Sequence, residues 1–121
     1  MPKLLIVDDE EDIRDFAKSF FKKRGIDVFT AQSGSEALSS VQEKSPDLML
    51  LDITMEGMTG VDVLKSLREG KNPVKVIMVT GVEDQEVIDQ VKSLGVLNYI
   101  HKPLVLEELE KIVLKELVST T

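Results

Sequence analysis

No cysteine occurs anywhere in the sequence. Disulfides, thiolate metal sites and cysteine nucleophiles are therefore excluded. Tryptophan is absent as well, and the aromatic side chains amount to one tyrosine and four phenylalanines. A platform for stacking bases needs more than that. Positive charge is in the minority, with 15 Lys and Arg against 22 Asp and Glu and a net charge of −7. Nucleic-acid phosphates repel such a surface, so direct nucleic-acid binding is excluded, and any DNA-linked role acts through a partner. No apolar run approaches the length of a membrane span. The opening residues, MPKLLIVDD, lack the ordered charged, apolar and small-residue segments of a signal peptide. A cytoplasmic protein without membrane association is the default expectation.

What is present suits one buried core. Hydrophobic residues make up 42% of the 121 and charged residues 31%, ordinary for a single globular domain spanning 1–121. Strand-like apolar runs occur at 3–8, 27–31, 47–52, 75–80 and 97–101. Between them apolar residues recur at helical spacing. Ile13, Phe16, Ala17, Phe20 and Phe21 form one such set; Ala37, Leu38 and Val41 a second; Val61, Leu64 and Leu67 a third; Val87, Ile88, Val91 and Leu94 a fourth. A last helix is expected over about 105–118. Gly25, Gly70 and Gly95 stand where left-handed C-terminal residues are wanted. Ser33 and Glu36 have capping-box spacing, and Pro46 stops the second helix.

Strands alternating with helices imply an α/β fold, a doubly wound five-stranded parallel sheet covered on both faces. The first and third strands are the most uniformly apolar and belong near the centre. No linker, repeat or low-complexity segment interrupts the pattern.

Four of the apolar runs end on polar residues: Asp8 and Asp9, Asp52, Thr80 and Lys102. In open α/β sheets ligands bind beyond the carboxyl ends of the strands, where these residues arrive. Clustered carboxylates resist joint ionisation. Mg²⁺ removes that difficulty, since it takes oxygen ligands from one or two carboxylates, waters and phosphate. An Asp carboxylate is also a nucleophile toward phosphorus. A lysine supplies positive charge to a phosphoryl oxygen, and a threonine hydroxyl donates to another. Gly81 leaves room for the group to enter. Taken singly, each residue has a plainer explanation. Asp is a turn former, acidic pairs favour a helix start, Thr is common in strands, and Lys102 before Pro103 reads as a solvated turn. Their joint arrival at four strand ends is what those explanations leave over.

At these residues the sequence resembles a response-regulator receiver domain, the phosphoacceptor module of two-component signalling. VDDE, the stretch Asp52-ITMEGMTG, VTG and YIHKP fit that family's motifs in order, over essentially the whole chain. The resemblance implies a flavodoxin-like strand order of 2-1-3-4-5. It implies Asp52 as phosphoacceptor in a Mg²⁺-dependent phosphorelay, with Asp9 a direct metal ligand, Asp8 acting through water and the Thr54 carbonyl completing the protein ligands. Thr80 and Lys102 would hold phosphoryl oxygens. The donor would be a phosphohistidine on a histidine kinase or histidine phosphotransfer protein. His101, the one histidine, is read as a strand-end residue. Tyr99 corresponds to a switch aromatic that follows Thr80 inward on phosphorylation, changing the face of the fourth helix, fifth strand and fifth helix toward a downstream protein. The module would promote its own phosphorylation and dephosphorylation without being an enzyme toward other substrates.

The family usually has proline where Glu56 stands. Glu56 adds charge and mobility to the loop after Asp52. Thr54 and Val82 flank the route of an attacking water. In the last helix Val105, Leu109, Ile112 and Val113 form one stripe, with Leu106 and Leu117 beside it. Leu114 and Val118 fall off it, as a frayed turn or as an apolar patch for a weak homodimer or output partner. Three other functions compete. A phosphohydrolase of the haloacid dehalogenase type needs a second Asp where Thr54 stands. A flavin or nucleotide binder needs glycines where DDEED stands. A phosphorylation-inactive receiver acting as an interaction scaffold sits poorly with the complete polar set.

Overall fold

A computed structural model describes residues 2–103 and 105–118. Its elements are β1 (Lys3–Val7), α1 (Glu11–Lys22), β2 (Asp27–Ala31), α2 (Gly34–Lys44), β3 (Leu48–Leu51), α3 (Gly60–Glu69), β4 (Lys75–Thr80), α4 (Gln85–Ser93), β5 (Asn98–His101) and α5 (Leu106–Val118). The strands form one sheet in the order β2-β1-β3-β4-β5, and every pairing is parallel. β3 is central with β1 beside it, as their uniform apolarity leads one to expect. Both strands stop one residue short of the expected end, which leaves Asp8 and Asp52 just past the ladder.

Two apolar clusters lie on opposite faces of the sheet. Leu5, Val7, Met49, Leu51, Val76 and Met78 face Ala37, Val41, Val63, Leu64 and Val91 of α2, α3 and α4. Leu4, Ile6, Leu48, Leu50, Ile77 and Val79 face Ala17, Phe21, Leu109, Val113 and Leu117 of α1 and α5. Successive strand side chains point to opposite faces. That alternation, carried one step past each strand, assigns the polar end residues. Asp8 follows Leu4 and Ile6, Asp52 follows Leu48 and Leu50, and Lys102 follows Ile100, all on the α1/α5 face. Thr80 follows Val76 and Met78 on the other face, which Tyr99 shares.

The helix ends follow local rules with one correction. Ser33 Oγ accepts the Glu36 amide, as its spacing leads one to expect. A full capping box, which the sequence reading missed, joins Thr59 and Asp62 at the start of α3. Gly25 and Gly95 take left-handed backbone, but Gly70 does not; Lys71 holds that position, at φ 59°. The Asn72 amide donates to the Leu67 carbonyl at 2.8 Å and the Lys71 amide to that of Arg68 at 3.0 Å. This paired closure sets the left-handed residue one past the glycine.

Burial corrects three further expectations. Phe16, at helical spacing with Ala17 and Phe21, is 63% exposed, and Val105 is 51% exposed and lies before α5. Leu114, read as off the buried stripe, is half-buried against the α1/α5 cluster. The side chain of Val118 lies outside the described residues.

Candidate functional site

The carboxyl ends of β1, β3 and β5 bring three of the expected residues into direct contact. Lys102 Nζ donates to Asp52 Oδ2 at 2.8 Å and to Asp8 Oδ2 at 2.9 Å. Glu10 Oε1 stands 3.9 Å from the same ammonium. Asp8 and Asp52 are almost completely buried, at 3% and 4% exposure. Two like charges removed from water demand a counter-charge. Lys102 reaches past β4 from the sheet edge to supply it. Burial alone would lower the pKa of the Lys102 ammonium, but its hydrogen bonds to Asp52 and Asp8 and their charges outweigh that and raise it.

The second oxygen of each carboxylate is held locally. Asp52 Oδ1 accepts the Thr54 amide at 3.2 Å, and Asp8 Oδ1 accepts the Glu10 amide at 3.0 Å. Backbone fixes the bases of both residues. The Asp52 amide donates to the Val7 carbonyl, and the Asp8 amide to that of Ala31, each at 3.2 Å. Arg14, which the sequence reading passed over, donates to the Asp8 carbonyl at 2.8 Å and ties α1 to the site. Gly60 closes over Asp52 so tightly that a Cβ there would collide with the Asp52 carbonyl oxygen.

Thr80 is fully buried on the other face. Its Oγ1 accepts the Val82 amide at 3.4 Å, and the Val82 carbonyl accepts the Tyr99 hydroxyl at 2.7 Å. Tyr99 is half-buried, with its ring packed against the core of the α2/α3/α4 face. The ring centroid of exposed His101 stands 5.1 Å from that of Tyr99. Burial first, and the charge of Asp52 second, raise the Tyr99 phenol above its ordinary pKa.

Asp8, exposed Asp9 and exposed Glu10 offer carboxylate oxygens within 4.8 Å of one another. An all-oxygen donor set of this kind fits a hard divalent cation such as Mg²⁺. Asp52 stands outside that group and is joined to Asp8 through Lys102. Thr54 is exposed, and its amide is already engaged by Asp52. Beside the site a groove of about 720 Å³ opens between Ile13, Phe16 and Ala17 of α1 and Pro103, Val105 and Leu106, with Lys102 in its wall. Exposed Phe16 and Val105, unexplained as core, both belong to it. The sequence gives no warning of the groove, because its two sides are more than eighty residues apart.

No helix among the described residues is long and apolar enough to cross a membrane. The chain is 36% identical over 115 residues to the sporulation initiation phosphotransferase F of Bacillus subtilis, covering 95% of this chain and 93% of that one. A Francisella response regulator receiver domain shares the fold with a TM-score of 0.91, at 30% identity and over 100% of both chains. A Thermotoga maritima response regulator solved in complex with Mg(2+)-BeF matches with a TM-score of 0.84, at 32% identity, over 97% of this chain and 100% of that one. Buried carboxylates bridged by a lysine at the strand ends of a 2-1-3-4-5 sheet thus accompany a match of residues 4–114 to the response regulator receiver domain family, and the chain belongs to that family.

Proposed function

We propose that Asp52 accepts a phosphoryl group from a phosphohistidine on a partner histidine kinase or phosphotransfer protein, and that the whole chain acts as one cytoplasmic receiver. The contact of Lys102 with both Asp52 and Asp8 carries this reading. A carboxylate oxygen of Asp52 forms the new P–O bond while the P–N bond to the donor imidazole breaks; the ring, protonated beforehand on its other nitrogen, takes the bonding pair and leaves as neutral imidazole. Lys102 neutralises a phosphoryl oxygen. Thr80 donates to another its hydroxyl hydrogen, which the bond accepted from the Val82 amide leaves free. The Thr54 amide holds the carboxylate in one orientation.

Asp9, Asp52 and the Thr54 carbonyl would hold Mg²⁺, with Asp8 acting through water. Bound there, the ion would supply positive charge against the charge that develops on the phosphoryl group. The oxygen-only donors of Asp8, Asp9 and Glu10 support that choice, as does the Mg(2+)-BeF complex of the Thermotoga relative.

The groove between α1 and the start of α5 supports docking of the donor as an apolar helix face placed beside Lys102. Asp12 and Glu107 line it and are exposed, so the donor face carries basic residues at its edges. The Thr80–Val82–Tyr99 chain supports a switch toward a downstream protein on the α4–β5–α5 face. Thr54, in the place of a hydrolase's general acid, disfavours turnover of other substrates. The receiver instead promotes only its own phosphorylation and dephosphorylation.

Intact mass after incubation with acetyl phosphate tests the reading. One phosphate adduct is expected with Mg²⁺, and none without Mg²⁺ or in Asp52→Asn. An unchanged adduct in Asp52→Asn overturns it. No adduct from acetyl phosphate or from phosphorylated histidine kinases favours the interaction-scaffold reading.

A further inference from the structure

The loop from Asp52 to Thr59 has to hold a nucleophile and an amide donor in register, yet it contains no proline and little internal bonding. Ile53 and Met55 point inward and are buried, while Thr54, Glu56 and Gly57 are exposed. Among the described residues the Glu56 amide donates to no acceptor. Gly57 takes left-handed backbone. The Gly60 amide closes the loop on the Ile53 carbonyl at 2.9 Å, and the capping box with Asp62 holds Thr59; over Glu56–Met58 the contact that reaches outside the loop is the Met58 side chain. Met58 lies across Gly34, the first residue of α2. A Cβ on Gly34 would stand 2.8 Å from Cβ and Cγ of Met58 and 2.9 Å from its Sδ. No residue larger than glycine accepts Met58 at that distance.

We propose that Met58, seated on Gly34, is a positioning residue for the phosphoacceptor, because it anchors the free side of the loop to α2 and so keeps the Thr54 amide on Asp52 Oδ1. The anchor is apolar and half-exposed, since Met58 itself is 36% exposed. It contributes little to the core and acts mainly on the loop. It also makes α2 part of the site's frame, although α2 supplies no residue to the chemistry. The importance of this for phosphorylation rests on the proposed role of Asp52; the anchoring itself does not.

Amide hydrogen exchange on the metal-free, unphosphorylated protein tests the anchor independently of that role. Met58→Ala should speed exchange at the Thr54 amide about tenfold while Leu50 and Ile77 keep their rates, since only a local opening is made easier. Met58→Leu, similar in volume, should stay within about twofold of the parent. A second substitution separates anchoring from mere packing. Glu56→Pro removes no hydrogen bond and stiffens the loop through the chain itself. In the Met58→Ala background it should return at least about half of the lost protection. Acetyl phosphate labelling at limiting Mg²⁺ should slow and recover in the same order. Parent-like exchange at Thr54 in Met58→Ala overturns the proposal. So does an equal rise at Leu50 and Ile77, or a failure of Glu56→Pro to restore any protection. Loss of labelling in the parent protein would refute the phosphoacceptor reading and leave the exchange result standing.

Discussion

The Tyr99 hydroxyl donates to the Val82 carbonyl across 2.7 Å, and the Val82 amide in turn meets Thr80 Oγ1. The loop after β4 is thus held from β5 on one side and from the end of β4 on the other. Tyr99→Phe removes the outer hold. Exchange of the amides at 81–84 should rise about fivefold or more, with the β3 amides unaffected, as checked by hydrogen exchange.

Tyr99 is the one tyrosine, and no tryptophan obscures it, so phenolate absorbance reports this residue alone. Its pKa lies above the ordinary 10.0 because of burial first and the Asp52 charge second. Asp52→Asn should move the titration part of the way back toward 10.0. A raised folded pKa gives stability that is complete below the ordinary value and is lost as pH rises through the folded one. Lys102, also raised, acts in the same sense. Urea midpoints should therefore fall above about pH 10, less steeply in Tyr99→Phe.

Lys102→Met would leave Asp8 and Asp52 facing each other without a counter-charge. Removing one partner of a fully buried pair costs about 3–5 kcal/mol. Lys102 keeps some solvent contact, at 18% side-chain exposure, so a loss of about 2–3 kcal/mol is expected in metal-free buffer. Millimolar Mg²⁺ should restore a large part of it, measured as a shift of the urea midpoint. An equal loss with and without Mg²⁺ would show that the cation does not reach these carboxylates.

Two glycines near the site should behave oppositely. Gly60→Ala drives a methyl into the Asp52 carbonyl, which is backbone and cannot turn away. A destabilisation of about 3 kcal/mol is expected, at the upper end for overpacking. Gly81 has open space around its Cβ position and no left-handed backbone. Gly81→Ala should change stability by less than about 0.5 kcal/mol, so any fall in labelling by acetyl phosphate would report hindered entry of the donor. Thermal unfolding and intact mass distinguish the two cases.

Arg68 donates to four carbonyls, those of Leu94, Gly95, Asn72 and Val74, between 2.8 and 3.0 Å. It joins the end of α3 to the end of α4. Arg68→Met should expose the amides around 94–98 to exchange at least about tenfold faster. A change spread evenly over the chain would instead mark Arg68 as general packing.

The site was legible in the sequence because a strand delivers its last side chain along a fixed direction. The apolar runs that end on Asp8, Asp52, Thr80 and Lys102 announce that these residues arrive together at the strand ends; which face each takes follows from the strands observed in the sheet. What stayed hidden depends on contacts between distant segments. Nothing near Met58 announces that Gly34 lies beneath it. Phe16 has core spacing but borders a groove that Pro103 and Leu106 complete. Lys71 takes the left-handed position that glycine usually fills, because the closing bonds of Leu67 and Arg68 set its place. The inward turn of Tyr99 also lies beyond the pattern, since it is fixed by one carbonyl on another strand's loop.

The sheet divides the site between two clienteles. Asp8, Asp52 and Lys102 open toward α1 and α5, where the groove lies, while Thr80 and Tyr99 belong to the layer behind. A donor seated in the groove therefore leaves the Tyr99 side uncovered. If the donor docks in the groove as proposed, its contacts and the Tyr99 side share only α5, and a second protein could approach Tyr99 while the donor is bound.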